Sequence, residues 1–498
     1  MGQAQSSEGG AERAERERPA NDGERKEPET VAMREALKKI NITYVWIFLL
    51  YYTVFDLMPV TQLLAKPGWN RVSVWMLYFG LTLFIVNLIV DREEAFGRHI
   101  IWILLLCAAF AAATIIRRRY NHLYANRLNL IYCFLQPFML YAAGRLMSKQ
   151  EKKRFVFSWY TIVSAIFIPA LCYMFYQFFS LQHYLAGTMS QGWFEGRLFG
   201  VMRVLYNGSI IVGVLAFLAG YYLFCSKRKV MKVIYSIELG IYVLYLSLSD
   251  TRTVFVGCAV GLGFIIYQRC YRKDSADANR RKGGWLIRGT CAFIIAILLL
   301  FAGTQGIRTA ALFCNWQAHG GAAGTGVSFR EFTEGEDRPE QGTYSSRRVD
   351  IWKSYFEIMA DNPSHVLFGT SFYGKAEYIR EHYPEQYIVR DFARFYPQDA
   401  QRGSVYGEHN AYLSVWVRTG IPGLIGFMGF LLACAGTVLQ RVRAGTGSSF
   451  ACALTSVVLL LLAAAFFEED ICFRISASSC IFWVFAGFLM NAAEGDRT

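Results

Sequence analysis

The chain has 498 residues, of which 54% are hydrophobic, 16% are aromatic and only 18% are charged, and its mean hydropathy is +0.27. This composition excludes a soluble globular protein of this size, and the apolar residues occur in blocks long enough to cross a bilayer. The formal net charge of +13 indicates membrane orientation and attraction to anionic headgroups, and no motif indicates nucleic-acid binding.

Residues 1–40 are rich in Glu, Arg, Ala and Gly, and they contain almost no large apolar side chains. Such a segment cannot bury a core, so we expect a disordered cytoplasmic tail. We expect no signal peptide before this segment.

Hydropathy predicts an all-α polytopic membrane protein with about twelve transmembrane helices. The expected spans are centred near residues 41–63, 73–90, 99–116, 128–145, 155–179, 205–225, 231–249, 253–270, 288–304, 421–439, 450–467 and 471–490. This divides the chain into nine spans over residues 41–304, a long external loop over 305–408, a re-entrant helix and the last three spans over 409–490, and a cytoplasmic tail over 491–498.

Basic residues in the short loops set the predicted orientation. With both termini inside, the cytoplasmic loops hold about twice the Lys and Arg of the short external loops. Arg117, Arg118 and Arg119 then fall outside. Either the third and fourth spans are misplaced, or these arginines serve a negatively charged ligand.

The cysteines give no sign of a disulfide or of a metal site. Nearly all of the 12 cysteines lie within or beside predicted spans, and only Cys314 lies clearly inside the long loop, so we interpret them as small packing residues. Neither a CxxC pair nor a Cys/His cluster with zinc spacing occurs. The sequence therefore predicts neither a metal nor a cofactor.

The external loop is about a hundred residues long, and loops of that length inside a membrane domain are usually functional. Its first part, residues 315–343, is expected to be flexible. From Ser345 the pattern predicts an amphipathic helix that Asn362-Pro363 ends. Arg348 lies near the start of this helix, where backbone N–H groups also favour an anion.

His409-Asn410 follows the loop and precedes a short amphipathic stretch and a glycine-marked span. A titratable imidazole at this position is suited to acid–base chemistry on a lipid-tethered substrate. The alternative is a pair that only caps a helix at the membrane interface.

Further arginines lie at the predicted outer ends of spans, namely Arg252, Arg197 and Arg203. Each alone could be an interfacial arginine that extends to the lipid headgroups. Several arginines that converge with a histidine favour a diphosphate ligand, since a diphosphate requires several cationic donors.

Together these residues resemble the O-antigen ligase and polymerase superfamily of bacterial membrane glycosyltransferases. The resemblance covers about residues 190–440. It depends on Arg-x-Asp-x-Trp at Arg348, Asp350 and Trp352, on Pro363 and Phe368-Gly369, and on His409-Asn410 with Leu413, Gly420 and Gly423. Two further segments are weaker matches: Arg197-x-x-Gly200 with Asn207, and Ser249-x-x-Arg252. In the second segment Asp250 and Thr251 intervene, where the family more often has Ser directly before Arg.

The resemblance implies a GT-C-like glycosyltransferase of the bacterial cytoplasmic membrane with its active site facing outside. Its donor would be an undecaprenyl-diphosphate-linked glycan, and its acceptor a glycan or lipid hydroxyl. His409 would be the catalytic base, and Arg348, Arg252, Arg197 and Arg203 would bind the diphosphate, with Asn410, Asp350 and Trp352 in support. Membrane lipids would be its other partners, no cofactor is implied, and a single displacement implies inversion at the anomeric carbon.

Two alternatives remain open at this stage. Nothing in the sequence separates a polymerase from a ligase, although the absence of a recognisable protein-acceptor site slightly favours a polymerase. A transporter or flippase of lipid-linked sugars would also be polytopic and cationic, but such proteins commonly bind at the midplane between repeats. No repeat between the two halves is found here, and the candidate residues lie at one face.

Overall fold

The computed structural model describes residues 28–55, 69–90, 92, 95, 97, 99–117, 119, 136–186, 189–194, 197–199, 205–275, 284–334, 344–370, 374–443, 448–469, 471–473 and 476–491. Among the predicted features, residues 1–27 and 492–498 of the two tails, parts of the first, fourth and last spans, Arg118, Gly200 and Arg203 lie outside these ranges.

The described chain is mainly helical. The helices before the external loop are α1 Pro28–Leu50, α2 Trp69–Val90, α3 Ile100–Ile116, α4 Tyr141–Leu146, α5 Lys149–Phe179, α6 Leu205–Cys225, α7 Lys229–Ser249, α8 Arg252–Ser275 and α9 Gly284–Ala318. The later helices are α10 Gly321–Thr325, α11 Phe329–Glu334, α12 Tyr344–Asp361, α13 Pro363–Phe368, α14 Lys375–His382, α15 Tyr387–Phe395, α16 Pro397–Gln401, α17 Ala411–Arg443, α18 Ser449–Ala464 and α19 Ala477–Asn491. Two short π-helices, Tyr51–Phe55 and Gln136–Leu140, precede the second predicted span and α4.

Five helices of the described chain, α5, α6, α7, α9 and α17, are long and apolar enough to cross a membrane. Shorter apolar helices accompany them in α2, α3, α18 and α19. The described chain is thus a mainly α-helical integral membrane protein, while the number of twelve spans stays a prediction.

The structure differs from the predicted boundaries at three places. Helix α1 begins at Pro28, within the segment expected to be disordered. Helix α9 continues to Ala318, well past the predicted end of its span at residue 304, and α10 and α11 follow in the segment expected to be flexible. Residues 335–343 of that segment lie outside the described ranges.

A small sheet is added to the helices between α5 and α6. Strands β1 His183–Ala186, β2 Met189–Phe194 and β3 Arg197–Phe199 are antiparallel in the order β1-β2-β3, with His183 opposite Gly192 and Trp193 opposite Leu198. Leu198 is fully buried, and β3 packs against α7.

The main hydrophobic core joins the helices of the membrane domain. Helix α17 packs along α3, α8 lies between α9 and α18, and α6 packs against α7. Large side chains such as Trp159, Tyr242 and Trp483 are fully buried in it. Burial of this kind provides most of the stabilisation that fixes helices relative to one another.

The external loop has a second, separate core. The amphipathic helix expected from Ser345 corresponds to α12, and Asn362 caps the next helix by accepting a hydrogen bond from the backbone N–H of Ser364. The buried residues of this core come from α12, α14, α15, the segment before α17, and the first turns of α17: Ile351, Tyr355, Ile358, Met359, Tyr378, Ile379, Ile388, Tyr406, Leu413 and Val417. The loop is therefore a folded helical unit that includes the start of α17.

Arg117 and Arg119 hold this unit to the end of α3. The guanidinium of Arg117 donates to Ser364 Oγ at 2.9 Å and lies over the ring of Tyr378 at 5.1 Å. Arg119 faces Glu381 with an N–O distance of 3.8 Å. Both arginines therefore lie on the same side of the molecule as the loop helices, as the predicted orientation requires.

Two glycines allow the loop to touch α17 where that helix is interrupted. Gly420 (φ 68°, ψ −170°) breaks the helix two residues before Pro422, and Gly369 has φ 70° and ψ −173°. This backbone region is essentially restricted to glycine. A Cβ atom on Gly420 would lie 2.2 Å from the carbonyl oxygen of Leu367, and one on Gly369 would lie 2.6 Å from the nitrogen of Thr419.

We predict that Gly420→Ala lowers the free energy of unfolding by about 1–3 kcal/mol or more, since the strained backbone and the close contact both act against a Cβ atom. Gly436→Ala in the same helix is the matched control, because a Cβ atom there meets nothing within 4 Å. Thermal unfolding of both purified variants in detergent measures the difference. Equal melting temperatures would contradict the assigned packing.

Candidate functional site

His409 and Asn410 lie where the external unit joins α17. Asn410 is buried, and its side-chain oxygen accepts hydrogen bonds from the backbone N–H groups of Tyr412 and Leu413, both at 3.0 Å. It is thus the N-cap of α17. The backbone N–H of Ala411 donates to the carbonyl of Ala465 at 2.8 Å, which ties this start to the end of α18.

The backbone of His409 is held in an unusual conformation. Its φ is 45°, in the left-handed region that non-glycine residues seldom adopt. Its N–H donates to Glu469 Oε1 at 3.0 Å, whereas its side chain stays 41% exposed. The backbone of His409 is therefore held in place, while its imidazole stays accessible to solvent. Strained residues of this kind cluster at functional sites.

Glu468 connects His409 with Arg348. Its Oε1 lies 2.7 Å from Arg348 Nη2, and its Oε2 lies 3.5 Å from His409 Nδ1. Arg348 also lies over the ring of Phe467, 5.8 Å from its centroid. The structure thus brings two of the predicted site residues, a histidine and an arginine, to one carboxylate.

A chain of four alternating charges supports the site from inside, and we call it the buried ion chain: Lys375, Glu408, Arg418 and Glu469. Lys375 Nζ lies 2.7 Å from Glu408 Oε1, and Arg418 Nη2 lies 3.3 Å from Glu408 Oε2 and 2.7 Å from Glu469 Oε2. The side chains of Glu408, Arg418 and Lys375 are 0%, 8% and 9% exposed. Since the other oxygen of Glu469 accepts the N–H of His409, the chain ends on the candidate base.

The neighbouring residues Glu408 and His409 have pKa values shifted in opposite directions. Burial alone would raise the pKa of Glu408, but the charges of Lys375 and Arg418 hold it well below its ordinary value. Burial alone would lower the pKa of His409, and the charge of Arg348 acts in the same direction. The hydrogen bond and charge of Glu468 and the charge of Glu469 outweigh both effects, so the pKa of His409 is raised. Glu408 is consequently ionised, and His409 binds a proton more readily than a free imidazole.

The two predicted supporting residues of α12 have different surroundings. Trp352 Nε1 donates to the backbone carbonyl of Glu408 at 2.9 Å and packs edge-on against Phe466. Asp350 is exposed, and its charge acts on Tyr387 of α15. Trp352 therefore supports the segment that carries His409, and Asp350 faces another part of the loop.

The other predicted arginines lie elsewhere in the described structure. Arg252 is exposed as the first residue of α8, and Arg197 is half-buried in β3. Among the described residues, no hydrogen bond or ion pair joins either one to His409 or Glu468. Asp250, which departs from the family pattern, has a partner of its own, since Arg308 of α9 lies 3.2 Å away.

No group of three or more His, Cys, Asp or Glu side chains that could hold a metal ion occurs within the ranges that the structure describes. The charged groups around His409 that the structure does describe are the carboxylates of Glu468 and Glu469 and the guanidinium of Arg348.

Residues 237–428 match the family model described as O-antigen ligase. The predicted resemblance to the O-antigen ligase and polymerase superfamily is confirmed over this segment. No curated protein matches the chain. The segment similar to O-antigen ligases runs from α7 through the break in α17, so it contains Arg252, Arg348 and His409, whereas Arg197, Glu468 and Glu469 lie beyond it.

Sequence reasoning missed five charged residues of the site: Lys375, Glu408, Arg418, Glu468 and Glu469. Glu468 and Glu469 directly follow an apolar span, and Arg418 directly precedes one, so the rule that ionisable residues at membrane spans are candidates for function could have found these three. The predicted site contained cations and no carboxylate partner for them, because a diphosphate ligand requires cationic groups. Lys375 and Glu408 carry no such signal.

We predict that Glu408→Gln lowers the free energy of unfolding by about 3–5 kcal/mol, because it leaves Lys375 buried beside a neutral amide. The double variant Lys375→Met with Glu408→Gln should recover part of the loss. Asp399→Asn is the control, since Asp399 forms an exposed ion pair with Arg402 and such pairs contribute about 0–1 kcal/mol. Thermal unfolding in detergent compares the three proteins, and a Glu408→Gln variant as stable as Asp399→Asn would contradict the role of the chain.

Proposed function

We propose that the protein is a membrane glycosyltransferase that moves a glycan from undecaprenyl diphosphate to a hydroxyl of an acceptor glycan or lipid. The match to O-antigen ligases supports enzyme activity of the ligase or polymerase type and lipid-linked glycan partners in general. The observation that carries the proposal for the site is the meeting of His409 and Arg348 at Glu468, next to the start of α17.

The proposed reaction is a single displacement. His409 Nε2 takes the proton of the acceptor hydroxyl, the hydroxyl oxygen forms a bond to the anomeric carbon, and the bond from that carbon to the diphosphate oxygen breaks. The lipid diphosphate leaves with the electron pair. A diphosphate is already a good leaving group, so the main tasks of the protein are to orient the acceptor, to remove its proton and to neutralise the phosphates. Attack from the side opposite the diphosphate inverts the anomeric configuration.

Arg348 is proposed as the first diphosphate-binding residue. A guanidinium can bind two phosphate oxygens at once, and Arg348 is 24% exposed beside the candidate base. Arg252, Arg197 and Arg203 are proposed as further cationic donors. Arg252 supports this role by its exposed position at the N-terminus of α8, where backbone N–H groups also favour an anion. The proposal involves no metal.

The proposed location is the bacterial cytoplasmic membrane, with the site on its external face. Helix α7 begins in a lysine-rich segment, expected to be cytoplasmic, and ends at Ser249. The contacts of Arg117 and Arg119 with the loop helices place the end of α3 on the side of the loop, which agrees with this orientation.

We predict that His409→Ala abolishes glycan transfer in cells lacking the native protein, since the acceptor then has no base. The protein should still accumulate, because a half-exposed side chain contributes little packing. His382→Ala, at an exposed loop histidine, is the control and should complement fully. The measurement is the size profile of the glycan, separated into material on the carrier lipid and on the final acceptor.

The same profile separates the two reactions within the family. Loss of long chains while single repeats are still transferred indicates a polymerase, and long chains that accumulate on the carrier lipid indicate a ligase. A normal profile with His409→Ala would reject His409 as the base and favour a transporter of lipid-linked sugars.

We predict that Arg348→Lys lowers the rate of glycan transfer at least about tenfold, because lysine keeps the positive charge but cannot form the bidentate contact with a phosphate. Arg347→Lys is the matched control, because the adjacent Arg347 lies over the ring of Phe395 at 4.3 Å instead. Initial rates in washed membranes, corrected for the amount of protein, give the comparison. Equal rates for the two variants would show that residue 348 supplies only charge.

A further inference from the structure

The carboxylate of Glu468 is shared unequally between its two partners. The 2.7 Å contact with Arg348 has the length of a strong, charge-assisted hydrogen bond, whereas the 3.5 Å separation from His409 Nδ1 lies at the limit of hydrogen bonding. Arg348 is therefore the principal partner of Glu468.

This pairing conflicts with the proposed use of Arg348. Glu468 occupies one of the five N–H groups of the guanidinium, and its negative charge opposes any anion that approaches the same side chain, so a diphosphate competes with Glu468 for Arg348. Glu468 is 20% exposed, which gives its side chain room to turn. Its neighbour Glu469 has no such freedom, because its two oxygens are bound to Arg418 and to the N–H of His409.

We propose that Glu468 is a positioning residue that exchanges partners: it holds Arg348 until the donor diphosphate takes that arginine, and it then accepts the Nδ1–H of His409. This inference rests on the proposed function. A carboxylate on Nδ1–H fixes the tautomer in which Nε2 receives a proton, and it stabilises the imidazolium that forms. Binding of the donor would thus complete the base, and the acceptor hydroxyl would be activated only when the leaving group is in place.

The charges that face His409 agree with this order of events. They are Glu468 and Glu469 from the segment after α18 and Arg348 from α12. Arg348 lowers the pKa of His409 while both carboxylates raise it. A diphosphate that neutralises Arg348 removes the lowering effect, so the base becomes stronger when the donor is bound.

The first test measures binding without any turnover. Farnesyl diphosphate serves as the probe, because it carries the diphosphate and a short polyprenyl chain. In Glu468→Gln the probe no longer competes with a carboxylate for Arg348, so we expect a dissociation constant about two- to fivefold lower than in the wild type, the range of a partly exposed ion pair. Glu385→Gln makes the same change at an exposed loop position and should leave the constant unaltered. An unchanged or higher constant in Glu468→Gln would overturn the exchange.

The second test measures transfer against pH in washed membranes that contain the native substrates. Since Glu468 raises the pKa of His409 and a base works only when unprotonated, the wild-type rate should fall on the acid side at a pH above 6.5, the ordinary value of histidine. In Glu468→Gln this fall should move to lower pH, and the maximal rate should drop about tenfold or more, a fraction of what a general base contributes. Glu468→Asp keeps the charge and should keep the wild-type pH profile.

The outcomes separate the two proposals. Loss of transfer in His409→Ala together with an unshifted pH profile and an undiminished rate in Glu468→Gln would reject the role of Glu468 alone. Retained transfer in His409→Ala would reject the proposed function itself. If Glu468→Gln does not fold, a wild-type pH profile in Glu468→Asp together with a profile moved to lower pH in Glu468→Ala supports the role, and identical profiles in these two variants reject it.

Discussion

The buried ion chain is the constraint on which the site depends. Glu408 is completely inaccessible, and a carboxylate can stay ionised there only because Lys375 and Arg418 face it from two different helices. Removing charged side chains from water costs free energy, and the attraction between opposite charges offsets this cost only where the ion pairs have good geometry. The chain therefore fixes α14, the segment before α17 and the segment after α18 in one arrangement. His409 lies at the point where these three meet.

The same arrangement accounts for the backbone of His409. A left-handed conformation costs a histidine free energy, and it persists because neighbours on both sides are fixed. On one side Trp352 holds the carbonyl of Glu408, and on the other Asn410 caps α17. The alternative interpretation of His409-Asn410 as a helix cap is thus correct for Asn410, whose amide oxygen is fully used. The imidazole of His409 takes no part in capping and is left available for chemistry.

Local sequence features were predictable, and long-range charge pairs were not. The boundaries of α12 follow from a helical apolar pattern and from Asn362-Pro363, which are adjacent in the chain. The end of α9 was missed because hydropathy detects the part of a helix inside a bilayer, whereas the segment up to Ala318 is helical with mixed polarity. Lys375 and Glu408 are 33 positions apart, and only the fold of the loop brings them together. Arg348 and His409 were found by motif, but the carboxylate between them comes from the segment after α18, outside the matched residues.

A rigid support and an adjustable centre suit the proposed transfer from a lipid-linked donor to a large acceptor. The loop helices share a core with the first turns of α17, and Gly369 and Gly420 bring their backbones into contact, so the support is a folded unit. Within it, Arg348, Glu468 and the His409 side chain are all partly exposed, whereas the side chains of Lys375, Glu408 and Arg418 behind them are at most 9% exposed. Buried pairs resist rearrangement because each charge would lose its only compensation, and exposed pairs exchange partners at little cost. Charged side chains of the same kinds are thus found both in the buried support and in the partly exposed centre. Movement is therefore confined to the side chains that are proposed to meet the diphosphate and the acceptor.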